Sequence, residues 1–156
     1  MTSKIVICLL FTFFLLTVSL AQAQQPTKIS RIGYLDGAFP STNAVRSDAF
    51  RQGLRELGYV EGKNIVIEYR HAEGKLDRLP ALAAELVHLK VEVLVMGGGG
   101  ASTASAKEAT KTIPIVMVAA VDPVAQGFVT SLARPGGNVT GLSTLSPEIS
   151  GKRLEL

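Results

Sequence analysis

The sequence predicts an α/β fold: a Rossmann-like parallel sheet with flanking helices. Three observations predict it. From Lys28 onward, short apolar runs alternate with longer amphipathic stretches, which is the pattern of stacked βαβ units. Clusters of Gly, Pro, Asn and Ser fall between the runs, where the chain must turn. Beyond a 23-residue leader the chain keeps about 130 residues, enough for one domain with a real core.

The elements follow in order. Residues 29–35 read as the first strand. After a loop over 36–43 carrying Gly37, Pro40 and Ser41, the apolar residues Val45, Ala49, Phe50, Leu54 and Leu57 recur at helical spacing. Gly58 stands where a helix takes a left-handed C-terminal residue, and residues 61–64 turn into a second strand over 65–69. In that strand Val66 lies between Ile65 and Ile67, as in a strand buried on both faces. The second helix is expected over 77–89, capped by Asp77, with Pro80 harmless in the first turn and Leu79, Leu82, Ala83, Leu86 and Val87 facing the core.

Residues 91–96 form a third strand, 97–100 a glycine loop, 102–111 a third helix and 115–119 a fourth strand. Asp122-Pro123 can start a fourth helical segment, which Arg134-Pro135-Gly136-Gly137 stops before a fifth strand at 139–142. Residues 143–147 read as a connection, and 149–156 begin a helical pattern that ends without cap or stop signal. The expectation is an N-terminal piece of a longer protein.

The first 23 residues read as an export signal. Lys4 supplies the positive start, residues 5–20 the apolar run, and Ala21-Gln22-Ala23 a small-x-small cleavage site. The run falls short of the roughly 20 residues of a membrane span, so cleavage after Ala23 is expected, with the folded part in the periplasm. An uncleaved anchor is the alternative. The only cysteine, Cys8, precedes most of the apolar run, which excludes disulfides and thiolate chemistry from the mature chain and misplaces Cys8 for lipidation. The formal net charge of +3 is spread without a basic block, so a nucleic-acid partner is not expected.

In an open parallel sheet, ligands bind beyond the carboxyl ends of the strands. Three loops qualify: 36–43, 97–105 and 120–123. Glycines at 97–100 let a backbone approach a ligand, and a helix beginning after them would offer its amides to a carboxylate or phosphate. Ser102 or Thr103 would add a hydroxyl, unless Ser102 merely caps the helix. Asp122 either accepts from a ligand amine or caps the segment at Pro123, and Asp36 is either a ligand contact or a turn residue.

No P-loop lysine and no dinucleotide glycine spacing is present, so no nucleotide cofactor is expected. His71, expected just after the second strand, and His88, near the end of the second helix, form no metal-binding pair. No Gly-x-Ser-x-Gly elbow appears, and no catalytic residue is assigned.

Several phrases together resemble the substrate-binding proteins of ABC transporters, in the group related to tryptophan-binding lipoproteins. They are Arg31-Ile32-Gly33-Tyr34-Leu35, the run from Phe50 through Asn64, Ile65-Val66-Ile67-Glu68-Tyr69-Arg70, Pro114-Ile115-Val116, Asp122-Pro123-Val124, and Arg134-Pro135-Gly136-Gly137-Asn138-Val139-Thr140-Gly141. The resemblance implies a two-lobe periplasmic binding protein type I fold that clamps a small solute and presents it to an ABC permease. Residues 24–142 would be the first lobe, and 143–156 the crossover and start of a second.

The same resemblance places Asp36, Gly98, Gly99, Ser102, Thr103, Val121 and Asp122 on the first lobe's side of the cleft. Val121 stands where many relatives carry a hydroxyl residue, and four glycines stand where they often carry Thr, Pro and Ala, so the solute is left as an amino acid or another small carboxylate. A single lobe offers a ligand about half its contacts, so weak or undetectable binding is expected of this chain alone. The other readings are a ligand-sensing module of the same fold and an extracytoplasmic α/β enzyme.

Overall fold

A computed structural model of the chain describes residues 29–145; the proposed leader and the pattern at 149–156 lie outside them. The sheet has five strands: β1 (Ser30–Asp36), β2 (Ile65–His71), β3 (Val93–Gly98), β4 (Ile115–Val121) and β5 (Val139–Leu145). Three helices accompany them, α1 (Ala44–Glu56), α2 (Leu79–His88) and α3 (Gly100–Ala109). The spatial order is β2-β1-β3-β4-β5, and every pairing is parallel. The order reverses between β1 and β3. Right-handed crossovers therefore place α1 on one face of the sheet, and α2 and α3 together on the other.

The α2–α3 face holds the main core. Leu79, Leu82, Ala83 and Leu86 of α2 and Ala106 of α3 pack on Leu35, Leu94, Met96, Ile115 and Met117 of the strands. Gly33 explains how closely α2 approaches: a methyl there would stand 2.9 Å from a Leu94 methyl and 3.2 Å from both Leu86 methyls. The opposite face is thinner. Tyr34, Ile67 and Val95 are buried under Phe50 and Leu54 of α1. No residue of α1 is fully buried, and Val45 and Leu57 are 83% and 76% exposed. The five-residue stripe is thus too wide for its contact. At 3.6 residues per turn, Val45 sits about half a turn around the helix from Leu54 and Ala49 about 140° from it.

Other departures have local causes. Pro80 falls in the first turn of α2 as expected, but Asp77 lies in a preceding 3-10 turn, Leu76–Arg78, and makes no cap. Strand β2 is an edge strand, which leaves Val66 half-buried between the buried Ile65 and Ile67. It also runs on to include His71, which the sequence reading placed beyond it. The segment after Asp122-Pro123 makes one turn and no helix. The amides of Phe128 and Val129 both return to the Pro123 carbonyl, at 2.9 and 3.3 Å, so that both side chains drop into the core. Asn138 then ties the Pro-Gly-Gly loop to the end of α3, its amide donating to the Thr110 and Ile113 carbonyls at 3.3 and 2.9 Å. Strand β5 extends to Leu145, past the expected end at 142.

Candidate functional site

The strand order reverses at the carboxyl ends of β1 and β3, where Asp36 pairs with Gly98. That switch point is the crevice at which open α/β sheets bind ligands. The glycine loop is shorter than expected. Gly97 and Gly98 complete β3 and α3 starts at Gly100, so Gly99 alone connects them, at φ 77° and ψ 153°. Only glycine occupies that region easily. The connection brings the first amides of α3 to the rim, where Gly99 is exposed.

Asp36 is 1% exposed. Its carboxylate accepts from the Ala38 amide at 2.9 Å and the Asn43 side-chain amide at 2.7 Å, the bonding of a turn residue. Ser102 and Thr103 are equally buried within α3 and do not cap it. The Ser102 hydroxyl donates to the Gly98 and Gly99 carbonyls, and that of Thr103 to Gly99 at 3.5 Å. Hydroxyls turned back on the preceding turn are satisfied locally. Of the seven predicted positions, then, Gly98, Gly99, Val121 and Asp122 present backbone or side chain at the rim, while Asp36, Ser102 and Thr103 support it from beneath.

Val121 and Asp122 follow at the end of β4. Val121 is 52% exposed. Asp122 has a φ of 43° and accepts from the Ala125 amide at 2.9 Å, which is the capping role. Replacing Asp122 with alanine should cost about 1–2 kcal/mol, through the lost cap and the left-handed backbone. Asp122→Asn should recover most of that, and urea denaturation of both variants checks it. Gln126, which the sequence reading missed, joins this end of the rim to α3. Its amide donates to the Val121 carbonyl at 2.6 Å, and its oxygen lies against Gly100 where a side chain would otherwise stand.

Two further features border the rim, and the first has a signal in the sequence. Alternation along β2 puts Ile67, Tyr69 and His71 on the α1 face, so Tyr69 and His71 extend the small core toward the rim. Their rings stack at 6.3 Å with an interplanar angle of 6°, and Tyr34 packs on them at 5.4 and 6.2 Å. Tyr69 Oη and His71 Nδ1 are buried without a protein partner. The second feature is the first turn of α1. A methyl on Gly98 would stand 3.4 Å from Asn43 Nδ2, 3.6 Å from Arg46 Nη1 and 3.8 Å from Asp36 Oδ1. Those groups therefore surround the bare face of Gly98.

Burial is the main reason the Tyr34 phenol titrates above the ordinary tyrosine range. Asp36 adds to the effect, while a hydrogen bond from Ser47 and the charge of Arg46 oppose it. Burial likewise raises Tyr69, with Glu61 adding and Arg51 opposing. Both folded-state values lie above the unfolded one, so the folded protein holds these protons more tightly. Stability from the neutral phenols is full below about pH 10 and lost as pH rises through the folded values. Thermal melts from pH 9 to 12 should show the midpoint falling only above about pH 10, and Tyr34→Phe should flatten the fall.

Among the described residues, no three His, Cys, Asp or Glu side chains gather as a metal site. No described helix is long and apolar enough to cross a membrane.

Residues 39–156 match the family described as ABC transporter substrate binding protein. A tyrosine-binding protein of Clostridioides difficile is 39% identical over 94 residues, covering 60% of this chain and 27% of that protein. Among solved structures, an ABC domain from Streptococcus pneumoniae in complex with L-Trp matches at 28% identity and TM-score 0.68, over 73% of this chain and 38% of that one. The ligand-free, open structure of a Clostridium difficile substrate binding protein with adhesive properties matches at 28% identity and TM-score 0.72, over 81% of this chain and 43% of that one. A conserved domain protein of Vibrio cholerae matches at 34% identity and TM-score 0.72, over 82% and 43%. The chain spans less than half the length of each of these relatives.

Proposed function

The chain belongs to the ABC transporter substrate binding protein family, and on that premise we propose that it captures a small solute outside the cytoplasm for delivery to an ABC permease. The solute class is an amino acid or a comparable small carboxylate. The observation that carries this reading is the rim at the switch point. There Gly98 and Gly99 expose backbone between the ends of β1 and β4, beside the first amides of α3. Such a surface suits a carboxylate, because bare glycine backbone allows close approach and free helix amides donate. Two of the relatives are described with Trp or Tyr as ligand, which supports the amino-acid class.

Capture needs no covalent chemistry. A binding protein of this kind works by population shift, its ligand favouring the closed arrangement of two lobes that the permease then engages. This chain supplies one face of that cleft. The leader is removed after Ala23, and the protein diffuses in the periplasm. Fractionation with N-terminal sequencing should return Gln24 as the first residue of a periplasmic species; a membrane-bound chain beginning at Met1 would overturn the location. A ligand-observed NMR screen of the full-length mature protein against the amino acids and small carboxylates, which detects millimolar affinities, should find saturable binding in at least one class. Binding in none would sink the reading.

A further inference from the structure

We infer that Arg46 is the residue that recognises the solute's carboxylate, with Asn43 beside it. The inference rests on the solute-binding reading above. Arg46 lies in the first turn of α1, and its Nη1 stands 3.6 Å from the position a Gly98 side chain would take, with Asn43 Nδ2 at 3.4 Å from the same point. The missing side chain leaves a space that two nitrogen donors already face. Asn43 spends one amide hydrogen on Asp36 and keeps a second.

Arg46 is exposed, and no carboxylate among the described residues pairs with it, although Arg31, Arg51, Arg70 and Arg78 all have such partners. It is thus an unpaired guanidinium, able to form the two parallel hydrogen bonds that a carboxylate accepts. The Asp36 carboxylate, with Oδ1 3.8 Å from the same point, brings the formal charge around Gly98 to zero. A solute that brings one carboxylate and one ammonium keeps that balance, whereas a phosphate dianion does not.

The test compares the wild-type protein with Arg46→Gln and Arg46→Lys in NMR titrations. The probes are the amino acids, 3-phenylpropionate and acetate as carboxylates without an ammonium, tryptamine and tyramine as amines without a carboxylate, and inorganic phosphate. Because Arg46 is exposed, both variants should melt with the wild type. Arg46→Gln should weaken binding of the amino acid by roughly tenfold to a hundredfold, the worth of a charge-assisted pair. Arg46→Lys should weaken it less, and the amines should bind wild type and variants alike.

If an amino acid binds wild type and Arg46→Gln equally, or if the variant weakens the amines as much, Arg46 does not read the carboxylate and the solute-binding reading stands. If no amino acid binds but simple carboxylates bind in an Arg46-dependent way, the role of Arg46 stands and the amino-acid class falls. Arg46-dependent binding of phosphate alone overturns the carboxylate assignment. Binding of no probe at all overturns both.

Discussion

Replacing Gly141 with alanine is expected to destabilise the domain by about 3–5 kcal/mol, the range reached when a substitution meets fixed backbone. Gly141 has a φ of 140° in β5, beside β4. A Cβ there would fall inside the Met117 carbonyl oxygen, with the carbonyl carbon and the amide nitrogen of the same residue each at 2.8 Å. A flexible side chain would yield; a strand backbone does so only by giving up its register. The pairing is already irregular beyond this point, shifting between Met117 and Ala120. The alternative to overlap is therefore separation of β5 from β4. That separation would uncover the buried Val139 and Met117 and loosen the Asn138 anchor next to them. Calorimetry should show the melting temperature down by roughly 10 °C or more. A drop of under about 2 °C would mean that β5 contributes little to the cooperative unit.

The parallel sheet was legible because its strands are short, apolar and separated by punctuated helical stretches, and that pattern depends on local periodicity alone. Among the described residues, all five strands and three of the four expected helical segments appear where the pattern puts them, within a few residues. What failed depends on tertiary context. Nothing local distinguishes the Asp122-Pro123 segment from a helix start; burial of Phe128 and Val129 decides it. The glycine run looked like a loop because glycine disfavours strands, yet Gly97 and Gly98 extend β3, where β1 leaves no room for side chains at Gly97.

The candidate site was legible at the level of loops and not of atoms. The rule that ligands meet the carboxyl ends of strands located the rim, and the structure brings the β1, β3 and β4 ends together there. It did not assign which polar side chains face outward. Ser102 and Thr103 have the right chemistry but turn back into α3, and Asp36 is occupied by its own turn. Arg46 and Gln126 carry no local motif. Their positions matter only because Gly98 and Gly100, distant in sequence, leave space against them.

Replacing Gly97 with alanine should damage stability and the rim together, and the way the two losses divide tests whether they are coupled. The new methyl would overlap the Tyr34 hydroxyl and stand 2.5 Å from Tyr34 Cζ and 2.6 Å from Asp36 Oδ2. Tyr34 is 2% exposed, with Phe50, Tyr69 and His71 around its ring, so it cannot rotate away without breaking that cluster. Asp36 can move only by lengthening its bonds to Ala38 and Asn43. Overpacking of this kind costs about 2–3 kcal/mol. Because Asn43 is one of the donors beside Gly98, the same displacement should weaken solute binding even in the folded fraction. Tyr34→Phe removes the nearest oxygen, whose hydrogen bond from Ser47 is a long one at 3.4 Å, and should itself be mild. Combined with Gly97→Ala it should restore about 1 kcal/mol relative to additivity, since residues in contact couple by that order. Chemical denaturation of the two single variants and the double variant measures the coupling. A strictly additive pair would mean that the strands part to relieve the overlap without Tyr34 moving, and solute affinity would then report on Asp36 and Asn43 alone.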